Sequence, residues 1–136
     1  MFEILEHTAD IGFRATAPSL TGLFEAAAEA LVAIVLDPDR VVPREAIGLS
    51  AEGESNETLL VNWLSEVLYW LDGEHFALCG FKVGEFGKGR IVVEAKGERR
   101  DSVRHEPRLI VKGVTYHQLK IEKTGEGWRC EVYLDV

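Results

Sequence analysis

The chain opens on short runs in which apolar and polar residues alternate. Residues 2–6 predict one β-strand. Residues 12–17 predict a second, in which Phe13, Ala15 and Ala17 alternate with Arg14 and Thr16. Between the two stand His7, Thr8, Ala9 and Asp10. Pro18 ends the second strand, and Ser19 is suited to cap a helix. The period then lengthens. Leu20, Leu23, Phe24, Ala27, Leu31, Ile34 and Val35 fall on one stripe and predict a helix over residues 20–36. Pro38, within "DPDR", cannot continue it. A short strand is expected over 46–51.

The clearest helix is "SNETLLVNWLSEVLYWLDG", with Ser55 or Asn56 as cap and Gly73 at its stop. Its apolar face is Leu59, Leu60, Trp63, Leu64, Val67, Leu68 and Leu71, a core stripe, with Trp70 beside it and partly exposed. From Phe76 onward the pattern is β. Glycine-bearing turns at 87–89 and 124–127 predict two hairpins. The polar run "ERRDSVRHEP" (98–107) reads as a mobile, solvated loop. The order of elements predicts an α+β fold: a two-layer single domain with two main helices packed on a mainly antiparallel β-sheet. Strand order stays open.

Composition narrows the function classes. The 136 residues carry 15 basic and 23 acidic side chains, a net charge of −8, which opposes autonomous nucleic-acid binding. Cys79 and Cys130 lie far apart with no CxxC spacing, so a zinc knuckle or thioredoxin motif is excluded; both are expected as buried thiols. No apolar run reaches the ~20 residues that span a bilayer. With no signal-peptide pattern, the expected location is cytoplasmic. Phosphate-loop, dinucleotide, zinc-protease, nucleophile-elbow and EF-hand motifs are absent from the sequence.

Three places remain for chemistry. Asp10 is either an Asx-turn residue ahead of Gly12 or a functional carboxylate, and His7 and Thr8 are open to the same two readings. At the other end, alternation puts Trp128, Cys130, Val132, Leu134 and Val136 on one face and Arg129, Glu131, Tyr133 and Asp135 on the other. Asp135 then stands beside the α-carboxylate of Val136, and adjacent anions at a fixed strand end repel unless a cation joins them. The third place is "VKGVTYHQL", residues 111–119. Lys112 sits between valines, and His117 is in phase with Leu119 and Ile121 and is expected to point inward, with Tyr116 on the face of Lys112 and Val114.

Together "LEHTADIGFRA", "LLVNWLSEVLYWLD", "VKGVTYHQL" and the terminal "DV" resemble the archease family in order and spacing across the whole sequence. One departure is Gly113, where the family commonly has alanine after the lysine. The resemblance implies a compact α+β domain that is not itself an enzyme. It implies an activator of the RtcB-type RNA ligase of tRNA splicing and RNA repair, promoting guanylylation of the ligase's histidine, multiple turnover and broader nucleotide use. The tRNA would be met only through the ligase, and no membrane is involved. By the same resemblance Asp10, Asp135 and the carboxylate of Val136 are metal ligands and Lys112 is the required lysine, with His7, Thr8 and His117 as supporting residues. Oxygen donors without cysteine suit a hard cation, so calcium is the expected metal, another divalent cation being the alternative. Two other functions stay open: a stand-alone metal-dependent phosphohydrolase, and a chaperone or modulator of RNA-modifying proteins.

Overall fold

A computed structural model of the chain describes residues 1–6 and 11–136. In chain order the elements are β1 (Phe2–Glu6), β2 (Ile11–Ala17), α1 (Leu20–Val35), β3 (Glu45–Glu52), α2 (Asn56–Leu68), β4 (Phe76–Gly87), β5 (Arg90–Arg99), β6 (Gly113–Thr124) and β7 (Gly127–Asp135). Ser19 caps α1, its hydroxyl accepting from the Gly22 N–H at 3.0 Å. Ser55, rather than Asn56, caps α2, accepting from the Thr58 N–H at 3.1 Å. The α+β reading holds, with every strand pairing antiparallel. The strands, however, form two sheets where one was pictured, ordered β1-β2-β7-β6 and β3-β5-β4.

The helices explain how two sheets share one core. Helix α1 packs on β2 of the first sheet and β4 of the second, while α2 packs on β3 and β6. Apolar surface is therefore wanted on several sides of α1. Ala26, Ala28, Ala30 and Ala33 are buried along with the leucine and phenylalanine stripe, and their small side chains let both sheets approach. Trp63, fully buried, ties the helices together: its indole N–H donates to the Phe24 carbonyl at 3.0 Å. Trp70 is half-buried, as expected.

The polar run 98–107 departs most from its prediction as a mobile, solvated loop. Glu98 is only 3% exposed and His105 only 1%. The Glu98 carboxylate accepts from the Val42 N–H at 2.8 Å and from Arg44 Nε and Arg104 Nη2, both at 2.9 Å. His105 Nδ1 accepts from the Asp101 N–H at 2.8 Å, so Nε2 carries the proton it shares with Glu98 at 2.9 Å. The Val42 bond foremost, then the Arg44, His105 and Arg104 bonds, hold the Glu98 carboxyl down at about 2 against the cost of its burial. Neighbouring arginines close helix ends. Arg108 donates from its backbone to the Val35 carbonyl at 2.7 Å and from Nη1 to the Ala33 carbonyl at 3.1 Å, satisfying orphan carbonyls of α1. Arg100 does the same for Leu71 at 3.0 Å. Clustered charge normally reads as solvated surface; here Glu98 and Arg100 have partners in distant segments.

Candidate functional site

Strand register gathers the candidate motifs at one end of the first sheet. Leu134, fully buried in β7, pairs with Ile11 of β2 on one side and with Val114 of β6 on the other. The next β7 residue, Asp135, pairs with Gly113. Just before β6 begins, the Lys112 backbone N–H donates to the Asp135 carbonyl at 2.7 Å. Thus the residue following "HTAD", the lysine of "VKGVTYH" and the aspartate of the terminal "DV" meet at one sheet end. The side chains of Lys112 and Asp135 and residue Val136 are exposed there. Asp10, His7 and Thr8 lie outside the described residues.

A second close contact fixes the same corner. Tyr133, expected on the polar face with Asp135, is 5% exposed. Its ring lies over Gly12, its partner in register; a Cβ added at Gly12 would sit 2.7 Å from Tyr133 Cδ1 and 2.8 Å from the Val132 carbonyl oxygen. Only glycine admits the ring. Thr115 adds a bond from its hydroxyl to the Tyr133 carbonyl at 3.2 Å.

His117 does not point inward; it is exposed. The register runs from Thr115↔Tyr133 to Lys120↔Glu131, so residues 116–119 oppose Val132 alone. This bulge, with Gln118 at φ 54°, resets the alternation that put His117 in phase with Ile121. Tyr116 is left exposed on the bulge. The strand begins only at Gly113, so the apolar residues Leu109, Ile110 and Val111 precede it. Cys130 is buried, and burial pushes its thiol up to about 12. Cys79 is half-exposed at a register shift in β4, contrary to its expected burial.

Among the described residues no three His, Cys, Asp or Glu side chains form a metal-binding group. What they offer at the sheet end is the Asp135 carboxylate and, next to it, Val136. The Asp135 carboxylate is an oxygen donor, which suits a hard cation and leaves room for further ligands. Sequence reasoning missed the cavity on the other side of Lys112, of about 340 Å³, lined by Ser65, Tyr69, Asp72, Gly73, Lys112 and Gly113. No sequence signal joins Tyr69 to Lys112; only the packing of α2 beside β6 does.

A sequence model of the Archease protein family matches residues 2–136. The chain belongs to the archease family. Protein archease of Pyrococcus abyssi is 39% identical over 139 residues, spanning 99% of this chain and 98% of that protein. Protein archease of Methanosarcina acetivorans is 37% identical, spanning 99% and 95%. The solution structure of a Methanobacterium thermoautotrophicum protein superposes with a TM-score of 0.86 at 32% identity, spanning 99% of this chain and 98% of that one. The crystal structure of an archease and possible chaperone from Thermotoga maritima gives 0.64 at 22% identity over 98% and 96%, a likeness of fold alone. As to membranes, no helix among the described residues is long and apolar enough to cross one.

Proposed function

We propose that this protein is a metal-binding accessory factor that activates an RtcB-type RNA ligase by promoting guanylylation of the ligase's histidine. The observation that carries the reading is the 2.7 Å backbone bond from the Lys112 N–H to the Asp135 carbonyl, which brings a lysine and an acidic residue to the same strand end. Asp10, Asp135 and, in a chain that ends at Val136, its α-carboxylate are the proposed calcium ligands. Their hard oxygens leave the remaining coordination positions to water or to a partner. When bound, the cation supplies positive charge at the nucleotide's phosphates. Lys112 holds a phosphate oxygen and offsets the charge that develops on the transferred phosphoryl group. The acidic surface of the whole chain, −8 in net charge, complements the basic cleft that a ligase needs for RNA. In this reading RNA is met only through the ligase.

The test is multiple-turnover joining of RNA ends with the cognate ligase at limiting concentration. Joining should continue past one turnover with the native protein and stop near one with Lys112→Ala or Asp135→Ala. Equal support by the variants would favour a general chaperone. Phosphoester turnover by the protein alone would favour a hydrolase.

A further inference from the structure

The cavity beside Lys112 has an unusual wall. The chain leaves α2 through a π-turn, Tyr69–Gly73, a conformation that is rare and frequently marks functional sites. Tyr69 is 54% exposed, yet its ring is fixed at two points. Its hydroxyl donates to Glu74 Oε1 at 2.6 Å. Behind it, a Cβ added at Gly73 would lie 3.0 Å from the ring's Cδ1 and Cε1. The Glu74 bond, with the charge of that carboxylate, also raises the phenol above its ordinary range, so the ring stays neutral. An aromatic side chain already held in place loses little conformational freedom when something stacks on it.

Lys112 also lines this cavity, and no ion pair takes up its ammonium among the described residues. Its acidic member, Asp72, is balanced by Arg100, whose Nη1 lies 3.6 Å from Asp72 Oδ1. A lysine without an ion pair among the described residues and a fixed aromatic face, lining one cavity, match a ligand that is anionic at one end and planar at the other. A bare phosphate would use only Lys112, and an apolar ligand only Tyr69.

We propose that this cavity is a nucleotide seat, with a nucleobase stacked on Tyr69 and a phosphate on Lys112. The inference rests on the activator reading and deepens it: the occupant is the nucleoside phosphate that the ligase consumes. Stacking engages the π-face common to all bases and reads no hydrogen-bond pattern. A seat of this kind therefore accepts several bases.

The test is titration of the full-length, isotope-labelled protein with guanosine 5′-monophosphate, followed residue by residue by NMR. Saturable shifts are expected at Ser65, Tyr69, Lys112 and Gly113. Tyr69→Leu should weaken binding about tenfold or more, the scale of losing one base–aromatic stack. Tyr69→Phe, which keeps the ring, should still bind, and inorganic phosphate alone should leave Tyr69 unmoved. Shifts absent from the cavity, or a Tyr69→Leu protein that binds like the native one, would overturn the seat. Failure here with ligase activation intact sinks the seat alone. Nucleotide binding without any effect on the ligase sinks the activator reading instead.

Discussion

Lys112 and Asp135 are joined through their backbones, the amide of the first donating to the carbonyl of the second at 2.7 Å, while both side chains stay exposed. Structure and chemistry are thereby separable at these positions. The main chain holds the corner together, and the side chains are free to act.

That separation gives the first prediction. Asp135→Asn and Lys112→Ala keep the backbone bond and remove only an exposed charge, so each should change folding stability by less than about 0.5 kcal/mol. Asp135→Asn should nonetheless lose calcium affinity, and both should lose ligase activation. Urea unfolding beside calcium titration checks this; a matched fall in stability would mean that the side chains are structural.

Gly12 supplies the second. An added methyl would meet the Tyr133 ring at 2.7 Å and the Val132 carbonyl oxygen at 2.8 Å. The ring or strand must shift, and overpacking of this kind costs about 1–3 kcal/mol. Gly12→Ala should lower the free energy of unfolding by that much, measured by urea denaturation. It should also weaken calcium binding, because the start of β2 and the end of β7 are pushed apart.

How far the sequence revealed this arrangement depends on whether a feature is local. Caps and stops are local: Ser19, Ser55 and Pro38 act on their own neighbours, and both helices could be read from them. Alternation along 12–17 likewise found β2 to within a residue. Pairing is not local. The division into two sheets, and the bulge at 116–119 that turns His117 outward, depend on which strand lies alongside, and no period within β6 encodes that. Glu98 and His105 were misread for the same reason, since the partners that make their burial tolerable, Val42 and Arg44, are more than fifty residues from Glu98. Alternation and sequence context marked Lys112 and Asp135 as candidates, the family resemblance supplied their expected roles, and register brought them to one sheet end. The Tyr69 cavity left no trace in the sequence, because it exists only where α2 passes β6.

Glu98 yields the third prediction, a dependence on pH. Its folded-state carboxyl is lowered from 4.5 to about 2, foremost by the Val42 N–H. A depressed acid stabilises the fold above its unfolded value, and the contribution disappears as pH falls from about 4.5 towards 2. Native protein and Glu98→Gln should therefore differ in thermal midpoint at pH 7, the variant melting lower, with the gap closing across that acid window. A gap that stays constant down to pH 2 would show that the ionised carboxylate is not what holds the 98–108 segment.

The fourth concerns the cation. In a chain that ends at Val136, adding residues converts its α-carboxylate into an amide and should weaken calcium binding while leaving thermal stability without calcium unchanged. An extended protein that binds calcium as tightly as the native one would remove Val136 from the ligand set.

Ligase activation is read out at its first chemical step by the rate at which the cognate RNA ligase becomes covalently labelled from radioactive GTP, with and without this protein. Labelling should accelerate severalfold or more with native protein and remain at the ligase-alone rate with Lys112→Ala. Labelling that proceeds at one rate in all three reactions would contradict it.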